Sequence, residues 1–327
     1  MKQFNSTTPV KGNGHSAGEP ETGPHLVPHM PFAAAGRAVL AFHFGRVMEN
    51  EASTLRGEDP EALHDMRVAT RRLRAALRHF QPAFGKAKLK PLVEDVGWLA
   101  DLLGRIRDID VFIEWLKKYI ETVPAEQRPY VHRILQDRAA ARDRERAALV
   151  AGLRSERYRE YKCRFEKFLH EPEARNAVKP LMGLAVAKIE EGMSRVHQKG
   201  KKANARDLAR LHLLRIECKR LRYTAEIFNS LFPDHLEQFT NRVKDVQDSL
   251  GTVHDSHIYA QFLKQMLRLL SVDQNMSEVL EQSIEKLDQE QKQAYARFER
   301  AFRKFDSGKY RRRTETRLRR TKREAEL

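Results

Sequence analysis

The chain has 327 residues, of which 61 are Lys or Arg and 45 are Asp or Glu, so its formal net charge is +16. A hydrophobic fraction of 41% can fill a core and excludes wholesale disorder. Two cysteines are too few for a disulfide scaffold, and they favour a reducing, cytoplasmic setting. No apolar run suggests a membrane span or a secretory signal, so we expect no membrane partner. The charge predicts an anionic partner.

The two ends of the chain differ from its middle. Residues 1–30 carry no net charge, contain four Pro and four Gly and lack apolar periodicity, which predicts a disordered leader. Residues 309–327 carry a net charge of +6 and predict a flexible basic tail that binds anions without sequence preference. The remaining charge of +10 lies in residues 31–308. The positive excess therefore belongs mainly to the folded part of the chain.

The middle of the chain reads as helical almost throughout. From Pro31 to Phe305 apolar residues recur at helical spacing, and alternating Val/Ile/Thr runs and Asn-Gly or Asp-Gly turns are missing. Asp59 followed by Pro60 is a typical helix start. Breaking segments separate the periodic runs at 57–60, 81–91, 123–129, 171–180, 200–207 and 232–234. We therefore predict an all-α fold.

The helical region contains an internal repeat. Residues 64–80 (HDMRVATRRLRAALRHF) match residues 212–228 (HLLRIECKRLRYTAEIF) at six of 17 positions. Further on, DLLGRIRD at 101–108 matches DSLGTVHD at 248–255 in the same order. The two matches predict a tandem duplication, with repeat one at about 31–170 and repeat two at about 178–305. We attribute the glycines of the second block, Gly104 and Gly251, to close helix approach.

The first repeated block separates cations from apolar residues on two helix faces. The cationic faces consist of His64, Arg67, Arg71, Arg74 and Arg78 in repeat one and of His212, Arg215, Lys219 and Arg222 in repeat two. The apolar faces, which we expect to be buried, consist of Leu63, Met66, Leu73, Leu77 and Phe80 and of Leu211, Leu214, Leu221 and Phe228. Like charges at this spacing repel, which disfavours an ordinary solvated surface. Arginine binds phosphate through a planar fork, and a face about 21 Å long suits a polyanion.

The paired blocks resemble the CHAD family, the conserved histidine α-helical domain, over about 31–305, which places a CHAD domain at 31–308. The resemblance implies two pseudo-twofold-related four-helix bundles around a central basic cleft. It also implies that the cleft binds inorganic polyphosphate and brings the protein to polyphosphate granules in the cytoplasm. The residues that match the family motif, and that the resemblance makes polyphosphate-binding candidates, are His64, Arg67, Arg71, Arg72 and Arg74 with His212, Arg215, Lys219, Arg220 and Arg222.

Two of these candidates lie off the cationic faces. Arg72 and Arg220 are more than about 90° from the centres of their faces, so they reach a neighbouring groove or pair with an acid. Asp108 and Asp255 are expected to orient an Arg or a His, and Tyr223 is expected to pack in the core.

Further cations complete the predicted site. Arg78 extends the first cationic face, and Arg105 and Arg107 of the second block face the cleft in this interpretation. Repeat two has His254 where repeat one has Arg107, so we expect an asymmetric site. Additional phosphate contacts are predicted at Arg242 and Lys244.

Nucleic-acid binding is the main alternative, because its repeated phosphates present the same kind of charge. On the residues alone the two ligands are about equally favoured, and the family resemblance favours polyphosphate. The cationic faces lack the aromatic platforms and amide groups that bind bases.

An enzyme of phosphate metabolism is the weaker alternative. No P-loop, dinucleotide-binding or nucleophile-elbow motif occurs, and the cationic faces are nearly free of the acids that hold catalytic metal ions. We expect non-catalytic binding without a cofactor or a metal site. The cluster of His254, Asp255 and His257 does not change this expectation, because its three side chains do not share one helix face.

Overall fold

A computed structural model of the chain describes residues 23–57, 59–171, 180–232, 236–269 and 274–327. These residues form eleven α-helices and two 3₁₀ turns and no named strand, so the prediction of an all-α fold is confirmed. The helices are α1 (Phe32–Arg56), α2 (Pro60–His79), α3 (Gln81–Phe84), α4 (Lys86–Ile120), α5 (Arg128–Leu153), α6 (Glu156–His170), α7 (Leu181–Gly200), α8 (Leu208–Ile227), α9 (Leu236–Leu269), α10 (Gln274–Phe305) and α11 (Gly308–Glu326). The 3₁₀ turns are Ala125–Gln127 and Asn229–Leu231.

The helix order of the first half recurs in the second. Helices α2 and α8 are each 20 residues long, and α4 and α9 are 35 and 34 residues long. Both α2 and α8 begin after a capping aspartate, as predicted for α2. Asp59 accepts a hydrogen bond from Glu61 N at 2.8 Å, and Asp207 accepts one from Arg210 N at 3.0 Å. A tandem duplication predicts this order; the division into two four-helix bundles stays a prediction.

The apolar core joins the two halves of the chain. The predicted apolar faces of α2 and α8 are buried, and they meet where the ring centroids of Phe80 and Phe228 lie 6.3 Å apart. A second cluster lies at the far ends of the long helices, where Phe112 of α4 stacks on Tyr259 of α9 at 4.4 Å. In both pairs the two residues occupy equivalent positions of the repeat. Each cluster therefore contains a contact between aromatic residues at equivalent positions.

The attribution of Gly104 and Gly251 to close helix approach is wrong. A Cβ atom at either position would meet no described atom within 4 Å. Close approach occurs at other glycines, since a Cβ atom at Gly36 would lie 2.8 Å from the Phe80 ring and one at Gly192 would lie 2.8 Å from Leu221. These two glycines allow α1 to pack closely on α2 and α7 to pack closely on α8.

The described end of the leader is packed, so the prediction of disorder is wrong for residues 23–30. Leu26 is buried, and its backbone N donates to Ser230 Oγ at 3.0 Å. Leu181 N donates to the carbonyl of Met30 at 3.2 Å. Burial of one leucine and backbone pairing thus fix the segment against the second half of the chain. Residues 1–22 of the predicted leader lie outside the described residues.

The basic C-terminal segment is helical, so the prediction of a flexible tail over 309–327 is wrong. Thr314 and Leu318, four residues apart on one face of α11, are buried. Arg319 Nε donates to Glu190 of α7 at 2.8 Å, and Ser307 Oγ caps the helix start. The helix is held because it docks on α7, and a composition dominated by charge does not reveal this docking.

Candidate functional site

Helices α2 and α8 lie side by side with their repeated segments facing each other. Arg72 Nε of α2 donates to Glu226 Oε2 of α8 at 3.2 Å. The other oxygen of Glu226 lies 3.5 Å from Arg222 Nε, so one carboxylate joins an arginine from each helix. This contact and the neighbouring Phe80–Phe228 contact place the two cationic faces on either side of one gap.

A cavity of about 440 Å³ opens in this gap. Its cationic lining consists of Arg71, Arg74 and Arg78 of α2, Arg195 of α7, and Lys219 and Arg220 of α8. Its other lining residues are Ala75, His79, Ile216, Tyr223, Thr224 and Ile227, so the described lining contains no acid. Glu217, outside the lining, pairs with Arg195 and Arg220. The lining still carries an excess of positive charge, which attracts anions.

Two of the lining arginines have buried donors without a protein partner. The Nε atoms of Arg71 and Arg74 are buried and make no hydrogen bond to a described residue. Buried polar groups in proteins are normally satisfied. Both side chains also line the cavity, where a guanidinium can bind an anionic ligand such as phosphate.

Burial and mutual repulsion lower the pKa values of basic side chains in the cavity. Burial, followed by the charges of Arg215 and Arg71, lowers the pKa of Lys219 to about 8. Burial also lowers the pKa of Arg71; Tyr223 opposes this shift, and the charge of Arg67 adds to it. A bound anion would relieve the repulsion, so the arrangement favours an anion over an empty cavity.

Tyr223 forms an aromatic wall between the two cationic faces. The residue is 6% exposed, which confirms its predicted place in the core. Its ring centroid lies 5.5 Å from the guanidinium carbon of Arg71 and 5.1 Å from that of Arg222. Cation–π contacts of this kind are worth about 0.5–1 kcal/mol or more when desolvated. Tyr223 therefore holds one guanidinium of each helix in position.

The N-terminal part of the α2 face extends beyond this cavity. Arg67 Nη2 lies 3.8 Å from Asp108 Oδ1, in line with the predicted orienting role of that aspartate. Burial lowers the pKa of Arg67, and Arg107 and Arg215 add to this shift, whereas Asp108 opposes it. Arg67 thus links the cationic face to the second repeated block.

His64 and Arg107 line a second cavity of about 770 Å³. Its charged lining also includes Glu61, Asp110, Glu114, Lys117, Arg142 and Asp143. Arg107 Nη1 donates to Glu114 at 3.2 Å, so its charge is partly neutralised. Because acids and bases mix in this lining, the second cavity lacks the uniform positive charge of the first.

Repeat two carries two histidines and an aspartate at the end of its cationic face that corresponds to His64 and Arg107 in repeat one. The rings of His212 and His254 lie 5.4 Å apart, and burial, followed by Arg215 and His212, lowers the pKa of His254 to about 4. Burial raises the pKa of Asp255, although Arg215 and Lys219 oppose the shift. Asp255 therefore lies among the cations of α8, and the two ends of the site differ chemically.

The two arginines off the cationic faces pair with acids, which was one of the two alternatives for them. Arg72 pairs with Glu226, and Arg220 Nη1 donates to Glu217 Oε1 at 2.7 Å. Arg220 also lines the central cavity. Arg72 instead connects α2 to α8.

Three further predicted binding residues, besides those already placed outside the cavity lining, lie away from the central cavity. Arg105 pairs with Glu145 at 3.0 Å. Arg242 Nη1 donates to the carbonyl of Lys304 at 3.2 Å, and Lys244 is exposed on α9. We do not include these three residues in the candidate site.

Two cavity residues were not predicted from the sequence. Arg195 of α7 donates through Nε to Glu217 at 3.1 Å, and it lies outside both repeated blocks, so no pattern marks it. His79 has a buried Nε2 without a described hydrogen-bond partner, and burial, with Lys188 and Arg195, lowers its pKa to about 3. Its position next to the repeated Phe80 was the only signal in the sequence.

The described residues contain no group of three or more His, Cys, Asp or Glu side chains that could hold a metal ion. A separate search of the same residues finds no helix with the length and apolar character needed to cross a bilayer.

Comparison with known proteins gives two curated relatives. Uncharacterized protein Rv2226 of Mycobacterium tuberculosis (strain ATCC 25618 / H37Rv) is 27% identical over 258 residues, which cover 72% of this chain and 49% of that protein. Uncharacterized protein MT2285 of Mycobacterium tuberculosis (strain CDC 1551 / Oshkosh) is 26% identical over 258 residues, with the same coverage. The chain thus spans about half the length of the curated relatives it matches.

Two solved structures share the fold. PptA from Streptomyces chartreusis superposes with a TM-score of 0.68 at 16% identity, covering 84% of this chain and 100% of that one. The CHAD domain from the plant Ricinus communis gives a TM-score of 0.64 at 20% identity, covering 93% and 97%. The sequence profile of the CHAD domain matches residues 38–264, which include both repeated blocks. The chain belongs to the CHAD domain family.

Proposed function

We propose that this protein binds inorganic polyphosphate in the cavity between α2 and α8 and does not catalyse a reaction on it. The observation that carries the proposal is the convergence of six cations on one cavity of about 440 Å³ whose described lining has no acid. Polyphosphate consists of phosphate groups alone, so its recognition needs only charge and N–H donors. Arginine and lysine supply both.

The cavity suits polyphosphate better than nucleic acid. Base stacking needs an accessible aromatic face, whereas the ring of Tyr223 is buried between the guanidiniums of Arg71 and Arg222. No amide side chain for base readout lines the cavity among the described residues. A single phosphate chain needs neither feature.

The charge of the lining also supports binding without turnover. Phosphoryl transfer uses metal ions held by acidic side chains beside the phosphates, and the described lining offers cations without acids. On this proposal the protein resides in the cytoplasm at polyphosphate granules, where the same anion is concentrated. Incubation of purified protein with polyphosphate should release no phosphate over multiple turnovers; sustained release would overturn the non-catalytic part of the proposal.

A competition titration tests the choice of ligand. Long-chain polyphosphate competes for the protein with duplex and with single-stranded nucleic acid at equal phosphate concentration. The salt concentration is fixed at about 150 mM because all three affinities depend on ionic strength. We expect polyphosphate to be preferred at least about tenfold, which corresponds to about 1.4 kcal/mol. Equal affinities would indicate a general polycationic surface and would place nucleic acid first.

Matched charge-reversal variants test the location of the site. Arg71→Glu combined with Lys219→Glu should abolish polyphosphate binding in a protein whose circular dichroism remains helical. The control combines Lys118→Glu with Lys244→Glu, which changes the net charge equally at two exposed positions outside the cavity. Loss of binding in the control, or normal binding by the folded cavity variant, would show that net charge or another surface is responsible.

A further inference from the structure

Lys219 differs from the arginines around it because its amine can lose a proton and become a nucleophile. It lies in the cavity lining and forms no ion pair with a described residue. Its charged neighbours are Arg67 and Arg71 from α2, Arg215 from α8 and Asp255 from α9. Burial favours the neutral amine, and three cations against one carboxylate act in the same direction, so that the pKa of Lys219 falls to about 8.

We infer that Lys219 is a site of N-acylation by acyl phosphates, which the cavity holds through their phosphate group. The inference rests on the proposed function, because both place phosphoryl oxygens against the same arginines. An acyl phosphate ends in a phosphate dianion that the guanidiniums of Arg71 and Arg74, which line the cavity, can bind. Its carbonyl carbon is attached directly to that phosphate through one oxygen. Anchoring the phosphate therefore brings the reactive carbon close to the Lys219 amine.

The chemical step is an aminolysis without oxidation or reduction. The neutral Nζ of Lys219 attacks the carbonyl carbon, so that an N–C bond forms while the C–O bond to phosphate breaks. The proton lost by the nitrogen leaves with inorganic phosphate, and a neutral amide remains on the lysine. The arginines stabilise the negative charge that grows on the leaving phosphate, and binding holds the reactants in position. Acylation removes one of the six cations, so it should weaken polyanion binding.

Lys188 of α7 provides an internal comparison. Burial also lowers the pKa of Lys188, and its Nζ lies 6.0 Å from the centroid of the Phe32 ring. Lys188 is not part of the cavity lining. If a lowered pKa alone controlled acylation, both lysines would react with any acyl donor. If the cavity controls it, Lys219 is favoured only when the donor carries a phosphate.

The test exposes the full-length protein to acetyl phosphate near the pKa of Lys219 and follows acetylation of each lysine by peptide mass spectrometry. A parallel reaction uses N-hydroxysuccinimidyl acetate, which carries no phosphate. We expect acetyl phosphate to acetylate Lys219 at least about tenfold faster than Lys188. Added pyrophosphate should slow the acetylation of Lys219 but not that of Lys188. With the phosphate-free donor, most of the rate difference between the two lysines should disappear. The assigned peptide should carry no acetyl group in Lys219→Arg. Equal rates with acetyl phosphate, or no protection by pyrophosphate, would overturn the inference.

Polyphosphate titration of the same preparations separates this inference from the proposed function. Tight polyphosphate binding without acetylation of Lys219 would refute the inference and leave the proposed function intact. Selective acetylation without polyphosphate binding would refute the proposed function and leave the inference intact. Lys219→Gln, which resembles the acylated side chain in charge, should bind polyphosphate at least about tenfold more weakly than the unmodified protein, as should the acetylated protein. Unchanged affinity in both would refute the expected consequence of acylation.

Discussion

Replacement of Arg71 by methionine should make the protein more stable and a weaker binder of polyphosphate. Arg71 is half-buried, its Nε has no described hydrogen-bond partner, and burial lowers its pKa. Its charge is therefore unfavourable in the folded chain without a ligand. Methionine keeps an unbranched, adaptable stem beside Tyr223 and removes both the charge and the unsatisfied donor.

The magnitude of the effect follows from three contributions. An unsatisfied buried donor costs about 1–3 kcal/mol, and the repulsion from neighbouring cations adds to this cost. The cation–π contact with Tyr223, at 5.5 Å, offsets about 0.5–1 kcal/mol. We therefore expect a gain of about 1 kcal/mol in the free energy of unfolding, or about 2 °C in the unfolding midpoint of a chain this large. Loss of a charge-assisted contact to phosphate should raise the polyphosphate Kd about ten- to a hundredfold.

Thermal unfolding with and without polyphosphate measures both effects together. A ligand that binds the folded state raises the midpoint according to its Kd, so Arg71→Met should start higher than the unaltered protein and rise less. Arg242→Met serves as the control, because Arg242 also stacks on a tyrosine, 4.1 Å from the Tyr310 centroid, but lies outside the cavity. It should lose stability and keep the full ligand increment. A destabilised Arg71→Met, or one with an unchanged increment, would refute the reasoning.

Three further predictions concern stability. Glu226→Gln should lower the free energy of unfolding by about 2–3 kcal/mol in urea denaturation, because it removes the carboxylate that joins α2 to α8; an unchanged midpoint would show that this contact is dispensable. Burial lowers the pKa of His43 and of His79 to about 3, so below about pH 6.5 the unfolded chain binds more protons and stability should fall, by up to about 1.4 kcal/mol per pH unit for each histidine. Denaturation between about pH 7 and pH 5 checks the slope, which should be shallower in His79→Gln. Gly104→Ala should raise the free energy of unfolding by about 0.5–1 kcal/mol, because the added methyl meets no described atom. A lower unfolding midpoint in this variant would contradict the prediction.

Features that depend on neighbours along one helix could be predicted from the sequence. The buried faces of α2 and α8 follow from spacing alone, and the caps at Asp59 and Asp207 follow from residue type. The same angular argument separated Arg72 and Arg220 from the cationic faces, and both pair with acids. Each of these results requires only the geometry of a regular helix.

Features that depend on how helices pack could not be predicted in this way. Arg195 reaches the cavity because α7 packs closely on α8 at Gly192, and nothing in the α7 sequence specifies that contact. Arg105 and Arg242 were predicted as additional phosphate contacts, but a carboxylate and a carbonyl already occupy them. Helix α11 reads as a solvated charge run because its docking depends on very few buried residues, and helices of this kind are stabilised by packing rather than by propensity.

The internal repeat explains why cations accumulate where they are most costly. Residues at equivalent positions meet across the centre of the molecule: Phe80 contacts Phe228, and the charge of Arg71 acts on Lys219. Where two matching surfaces face each other, each surface contacts a near copy of itself. An apolar face is complementary to its own copy, but a cationic face is not, because each added cation meets another cation. Two matched helices that each carry both faces therefore form a core and, beside it, a cavity whose excess positive charge an external anion can balance.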